Sequence, residues 1–494
     1  MHLPLFTGSL VLSSAAGLAV AATTQSISRD NSVCSQIQST ISNQSSVYLP
    51  GQSEYDADQT HYFASSSQPA LCTVEPKAPN DVSLILQVLA QQNTPFAIKG
   101  GGHTGNPGFS STSGVLLSMN QFNTVQYHAS NQTADVGVGL VWDDVYEQLQ
   151  QFGVTVVGGR VSGIGVAGLT LGGGYSWLTN QYGLVVDNVV GFQVVLPNGN
   201  VVVANAQTAS DLFFALKGGY NNFGVVTQIT FKTYPIGQVW GGYMVVLDDQ
   251  LNAVTAALNN YIANVQDPKA ALIASYTAVP GQLLASLLLF YDGPTPPAGI
   301  FDDFLNLTSV QGSIGTRSFL ELVQTPPSSQ AAGSATRGYY DTATIASPTG
   351  PIIDAIVNET TFWSTQLASS SAVELVYSVE VFLPNILQHA PEGSSAYPPT
   401  RSTQYLPLAM NFQYTSASDD ALITGAMASS AAQLGGVAAA QGQNTAEVPV
   451  YGNYATTQSF SAERIFGANL AQLQSIKQKY DPSNVMGLTG GWKI

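Results

Sequence analysis

The stretch Lys99-Gly100-Gly101-Gly102-His103-Thr104-Gly105 sets a histidine at the end of a triple-glycine loop, directly after the apolar run Pro95-Phe96-Ala97-Ile98. Successive glycines let a backbone approach a ligand without Cβ interference. Their N–H groups can form a concave anion site suited to a pyrophosphate. A neutral imidazole at the rim of such a loop is a nucleophile able to bond covalently to a cofactor. A second cluster, Gly163-Ile164-Gly165-Val166-Ala167-Gly168-Leu169-Thr170-Leu171-Gly172-Gly173-Gly174-Tyr175, follows in the same half of the chain. Gly163, Gly165 and Gly168 stand at G-x-G-x-x-G spacing, but that spacing alone is weak evidence, and the cluster is not read as a simple Rossmann fingerprint.

Further along come Val185-Val186-Asp187-Asn188 through Pro197-Asn198-Gly199-Asn200, which reads as two β runs about an Asn-Gly turn. Asp211-Leu212-Phe213-Phe214-Ala215-Leu216-Lys217-Gly218-Gly219 and Phe223-Gly224-Val225-Val226-Thr227 complete the series. In this order the motifs resemble the FAD-binding domain of the berberine bridge enzyme-like oxidases, within the wider vanillyl-alcohol oxidase family. The resemblance runs from Tyr62 to Pro235. It returns in Tyr451-Gly452-Asn453-Tyr454 and Tyr480-Asp481-Pro482-Ser483-Asn484-Val485.

The resemblance implies FAD as cofactor, joined through a ring nitrogen of His103 to its 8α-methyl carbon. It places Lys99, Gly100, Gly101, Gly102, Thr104 and Gly105 at the flavin, with Val161, Gly165, Val166, Gly168, Gly172, Gly173 and Gly174 from the second cluster. Gly224, Val226 and Asn453 join them. Many relatives carry a second covalent link from a cysteine where this chain has Val161, so a single histidyl link is expected. Ile164 occupies a place that gates oxygen access in similar proteins. Tyr175 and Tyr454 match two tyrosines that face the flavin, and Gln413 matches a sheet position that often touches the tyrosine. A buried phenolate at Tyr454 is a reasonable base if a neighbour lowers its pKa. Glu380, on a neighbouring strand, could supply an acid or base.

Composition narrows the partners. The 494 residues carry 14 Lys plus Arg against 30 Asp plus Glu, a formal charge of −16 that would repel nucleic acid. Hydrophobic content of 45% excludes a disordered chain. Residues 10–18 form an apolar run before Ala19-Val20-Ala21, which reads as a signal peptide and points to a secreted protein. No later run approaches a membrane span. For an exported chain the two cysteines, Cys34 and Cys72, are expected to form one disulfide, and similar proteins use such a pair to tie the N-terminal arm to the flavin domain. Sequons begin at Asn43, Asn131, Asn306 and Asn358. No zinc-spaced Cys/His set, nucleophile elbow or Walker loop is present, so no metal is expected.

The elements that must position these residues follow from periodicity. Val82, Ile85, Leu86 and Leu89 have helical spacing after Pro79-Asn80. Thr133 to Gly139 alternates like a strand, and 142–151 reads as a helix. Beyond Gly241, the runs 271–278, 283–291, 373–383 and 406–414 read as strands of one mostly antiparallel sheet with covering helices, and 325–335 as a loop. A last helix is expected over 462–479. The fold class is therefore α+β, a two-lobed FAD-binding domain plus a substrate domain. The expected division is a signal peptide (1–21), an arm (22–61), the FAD-binding domain (62–237), the substrate domain (238–448) and a C-terminal return to the flavin domain (449–494).

The resulting expectation is a secreted oxidoreductase that takes hydride from a C–H of an alcohol or ring system. O2 would be the acceptor and H2O2 the product. A carbohydrate hemiacetal oxidase, a dehydrogenase, and a flavin-containing cyclase with no net redox change stand as alternatives. Substrate identity and oligomeric state have no sequence signal.

Overall fold

The computed structural model describes residues 32–326 and 336–494. The expected signal peptide and most of the 325–335 loop lie outside the described residues. The first lobe is a four-stranded sheet of β1 (Ser46–Tyr48), β2 (Cys72–Glu75), β3 (Phe96–Lys99) and β4 (Val115–Ser118). Its order is β1-β2-β4-β3, with β4 parallel to both β2 and β3. Parallel pairs need a crossover, which α1 (Pro79–Gln92) supplies between β2 and β3. Proline in its first turn suits the start of a helix, and Asn93 ends it in the left-handed region at φ 50°. Cys34 and Cys72 are disulfide-bonded with Cα atoms 6.3 Å apart, which ties the 32–40 helix to β2.

The second lobe is antiparallel throughout. It contains β5 (Val125–His128), β6 (Thr133–Gly137), β7 (Val189–Val195), β8 (Val201–Asn205) and β9 (Val225–Lys232), in the order β5-β6-β9-β7-β8. Helix α2 (Trp142–Gln150) follows β6, and the short α3 (Val166–Leu171) opens within the second glycine cluster. Residues 185–188, expected to begin a strand, form a 3₁₀ turn instead. The Asp187 carboxylate accepts the Leu184 N–H, so a local side-chain bond closes the turn before the strand can start.

The third unit is a seven-stranded sheet. Its strands are β10 (Val239–Leu247), β11 (Ala270–Val279), β12 (Gln282–Tyr291), β13 (Gln311–Arg317), β14 (Arg337–Ile345), β15 (Ala372–Val381) and β16 (Leu406–Tyr414). They lie in the order β13-β10-β12-β11-β15-β16-β14, every pair antiparallel. Helices α4 (Leu251–Asn264), α5 (Gly350–Gln366) and α6 (Asp420–Ala440) cover one face. Leu375, Tyr377 and Val379 of β15 and Met410, Phe412 and Tyr414 of β16 are buried under them. By period two, Glu374, Val376, Ser378 and Glu380 share the opposite face with Asn411 and Gln413.

Two further expectations need correction. The helix expected over 462–479 is broken: Gly467 has φ +50° and leads into a 3₁₀ turn, after which α7 runs Leu470–Tyr480. A Cβ at Gly467 would stand 2.7 Å from the Pro449 ring, so the break is also a close approach. The segment Ala417–Ala440, which includes α6, is long and apolar enough to pass for a membrane span, with mean hydropathy 1.2. Its Ile423, Met427 and Leu434 are buried in the sheet-and-helix core, so the apolarity is accounted for by packing.

Candidate active site

The two glycine clusters meet backbone to backbone. A Cβ on Gly101 would stand 2.7 Å from Gly165 Cα and N, so only glycine permits the contact. Gly102, at φ +68°, turns the chain so that His103 points toward the third sheet. Gly105 lies against the backbone of Tyr339 and Tyr340 in β14, and Thr104 Oγ1 accepts the Asn106 N–H at 3.2 Å. Lys99 packs beneath Gly102, and its burial lowers the ammonium pKa, opposed by Asp58. Gly165 caps α3, whose Val166 N–H bonds Leu140 O at 3.0 Å, while Gly168 faces outward with nothing near its Cβ direction. A Cβ on Gly172 would collide with Asn453, and Asn453 Nδ2 donates to Leu169 O at 3.2 Å and to the Tyr451 hydroxyl at 3.0 Å. The C-terminal segment thus lies on the second cluster.

His103 Nε2 is 3.1 Å from the Tyr340 hydroxyl, and Nδ1 is buried without a hydrogen-bond partner. The Tyr62 ring lies 4.2 Å from the imidazole, centroid to centroid. Burial lowers the His103 pKa to about 4, so the ring is neutral at physiological pH. An imidazole with one nitrogen fixed and the other bare in an apolar setting can act as a nucleophile at the bare nitrogen.

The second group of reactive side chains comes from three distant segments. Arg160 forms a bidentate pair with Glu380, Nη1 to Oε2 at 2.7 Å and Nη2 to Oε1 at 2.8 Å. Nη2 also donates to the Tyr454 hydroxyl at 2.8 Å, and that hydroxyl donates to Glu380 Oε1 at 2.7 Å. Arg160 and Glu380 side chains are only 10% and 3% exposed. Burial raises the Tyr454 pKa well above 10, and Glu380 adds to this while Arg160 opposes it. The expected standing phenolate is therefore not what the site holds. Tyr454 is a neutral hydroxyl hydrogen-bonded to the Glu380 carboxylate.

Other expected residues fall elsewhere. The Tyr175 hydroxyl pairs with that of Tyr397 at 3.1 Å, in a ring cluster with Tyr451 and Phe382 rather than with Glu380. Burial pushes its pKa far up, as it does that of Tyr454. Gln413, expected to touch the tyrosine, instead donates to Glu374 Oε2 at 2.7 Å and to Asn411 Oδ1 at 3.2 Å. Gly173 and Gly174 take positive φ behind Tyr175, and Gly224 and Val226 lie in the packed second lobe beside β7. Val161 follows Arg160 directly, and both cysteines are in the disulfide, so no thiol can replace a missing linkage there.

Sequence reasoning missed Arg160, Tyr340, Tyr62 and Glu374. Arg160 had one available signal: it is an arginine beside Gly158-Gly159 in a chain with 14 basic residues. Tyr340 and Glu374 look like ordinary strand residues until the sheet register places them.

Comparison with known proteins adds a lineage to this geometry. A FAD binding domain model matches residues 70–205, and a berberine and berberine-like model matches 450–489. An uncharacterized FAD-linked oxidoreductase of Arthroderma benhamiae is 38% identical over 282 residues, 56% of this chain and 56% of that protein. An FAD-dependent monooxygenase of Aspergillus calidoustus is 36% identical over 286 residues, 56% of this chain and 55% of that protein. The chain spans about half the length of these curated relatives. Among solved structures, a carbohydrate oxidase from Microdochium nivale in complex with a substrate analogue superposes with a TM-score of 0.74. It is 19% identical, the match covering 92% of this chain and 97% of that one, and so establishes the fold alone.

Proposed function

We propose that this chain, which matches a FAD binding domain over residues 70–205 and a berberine-like domain over 450–489, is a berberine bridge enzyme-like FAD-binding oxidoreductase that oxidises an alcohol carbon of a small molecule, with dioxygen as the electron acceptor. The described residues fit a flavin: the buried, partnerless Nδ1 of His103 suits a covalent bond, and the joined glycine loops bring unobstructed backbone beside it. His103 would hold the flavin by one link, since Val161 cannot supply a second. When bound, FAD supplies the two-electron acceptor that takes hydride from the carbinol carbon.

The observation that carries this reading is the Tyr454 hydroxyl held between Arg160 and Glu380. As hydride leaves carbon, the substrate hydroxyl gives its proton to the Tyr454 oxygen, and the Tyr454 proton moves to Glu380 Oε1. The product is a carbonyl, with two electrons removed from substrate and one proton left on Glu380. Arg160 holds both acceptor oxygens in line and shields them from water. Such positioned proton transfer typically contributes 10²–10⁴-fold. Gly101, Gly102 and Gly165 position His103, and Asn453 docks the segment that delivers Tyr454.

The chain is exported in this reading. The disulfide and four sequon asparagines, Asn43, Asn131, Asn306 and Asn358, all exposed, support that setting. The test mixes anaerobic holoenzyme with a panel of benzylic, allylic and polyketide-like alcohols and oligosaccharides, then admits air. Bleaching of the visible flavin band followed by one peroxide per carbonyl supports the proposal. Flavin released by acid precipitation would remove the covalent link, and reduction by sugars alone would move the substrate class to hemiacetals. His103→Ala should leave no flavin on the precipitated polypeptide.

A further inference from the structure

Strand β15 carries a second carboxylate on the face that bears Glu380. Leu375, Tyr377 and Val379 point into the helical core, and the Tyr377 hydroxyl meets Ser430 of α6 at 2.9 Å. Glu374, Val376, Ser378 and Glu380 therefore face the other way, toward His103 and Tyr454. Register fixes the neighbours. Glu374 pairs with Gln413, which pairs with Gly338; Val376 pairs with Asn411, which pairs with Tyr340. Tyr340 is the residue that reaches His103.

Glu374 is mostly buried yet has one hydrogen-bond donor among the described residues, the Gln413 amide on Oε2. Among the described residues, no arginine or lysine forms an ion pair with it. The nearby electrostatic neighbours, Tyr62 and Tyr340, are neutral phenols whose pKa values it helps to raise. A half-satisfied carboxylate in a low-dielectric site is costly, and proteins commonly satisfy such groups with a hydrogen-bonded partner. Gln413 cannot complete the set, because its amide already serves Asn411 as well.

We infer that Glu374, oriented by Gln413 and Asn411, is a specificity subsite that receives a hydrogen-bond donor of the substrate, a hydroxyl or an ammonium, at a distance from the carbon being oxidised. Along β15 its Cα lies about 20 Å from that of Glu380, at roughly 3.3 Å per residue. Side chains converging on the shared face shorten the gap, so the fitting substrate is elongated, with its reacting hydroxyl at Tyr454 and a polar group at the other end. This inference rests on the reading of Tyr454 as the reacting end and extends it to the substrate's far end.

The experiment uses holoenzyme and three biphenylmethanols that differ only in the para group on the far ring: methyl, hydroxyl or aminomethyl. Binding is read from perturbation of the flavin spectrum under anaerobic conditions before reduction, and reduction is followed separately. Charge-assisted hydrogen bonds contribute enough to give about tenfold tighter binding of the aminomethyl probe than the methyl probe, with the hydroxyl probe between them. In Glu374→Gln the aminomethyl-to-methyl ratio should fall to within about threefold of unity, while Glu374→Asp, which keeps the charge, should retain part of it. Taking the ratio within each protein removes any effect of altered folding or flavin content. Equal binding of the probes by wild type, no detectable binding of any, or an unchanged ratio in Glu374→Gln overturns the subsite. A clear binding preference without flavin reduction keeps the subsite and overturns the alcohol oxidation reading instead.

Discussion

The two glutamates on one face of β15 have opposite electrostatic settings. Glu380 is closed: a bidentate arginine and a tyrosine hydroxyl satisfy it, and it is sealed from water. Glu374 is open: among the described residues it has a single amide donor and no cation, and burial raises its pKa above the ordinary glutamate value. The same residue type on the same strand is thus a finished part of the protein at one end and an unfinished one at the other. Full satisfaction suits a group that must keep its geometry through each turnover. An unmet acceptor suits a group whose partner arrives with the substrate.

Breaking the closed end should have the largest effect. Arg160→Met leaves Glu380 buried without its counter-charge, and removing one partner of a buried pair typically costs about 3–5 kcal/mol of stability. Urea unfolding at neutral pH should show the midpoint falling accordingly, with flavin content reduced. An unchanged midpoint would mean that the Arg160–Glu380 pair does not behave as a buried ion pair.

Tyr454→Phe is the gentler cut at the same end. It removes the relay oxygen but leaves the Arg160–Glu380 pair, so flavin reduction by a substrate found in the panel should slow by about 10²–10⁴-fold with little change in stability. Stopped-flow reduction decides it. Tyr175→Phe, whose hydroxyl belongs to Tyr397, is the control and should slow reduction far less.

At the open end the sign reverses. Glu374→Gln should stabilise the protein by about 0.5–2 kcal/mol near neutral pH, as relief of a functional compromise commonly does. The folded-state pKa of Glu374 is raised from 4.5, so the native state binds its proton more tightly than the unfolded chain. Wild-type stability from this group is fullest below the ordinary glutamate pKa and is lost as pH rises through the raised value. Glu374→Gln should lack that decline, so the gap between the two proteins should open as pH rises. A gap that is constant from acid to neutral pH would show that Glu374 ionises freely, and the contrast between the two ends would collapse.

The legibility of these regions in the sequence follows the same division. The loop around His103 is legible because the later motifs follow it in order, a triple-glycine turn alone being common, and the strands of the third sheet show through alternation that burial imposes. Tyr454 was visible through its place in Tyr451-Gly452-Asn453-Tyr454. Its partner Arg160 was not, because a contact across 294 positions leaves no local pattern. Glu374 was invisible for a different reason: a glutamate on a strand reads as solvated, and only the pairing of β15 with β16 shows which face it occupies. Gly467 breaks the last helix because Pro449 leaves no room beside it, a tertiary fact that helical periodicity cannot anticipate.

The meeting of Arg160, Glu380 and Tyr454 also sets an order of events during synthesis. Chains emerge N-terminal end first and domains tend to fold as they appear, so the glycine loops and most of the large sheet are on hand before residue 454 leaves the ribosome. Until then Arg160 and Glu380 have no hydroxyl between them. A chain truncated before the segment that docks through Asn453 therefore lacks the hydroxyl that bridges Arg160 and Glu380. The bridging hydroxyl is thus the last member of the Arg160–Glu380 cluster to arrive.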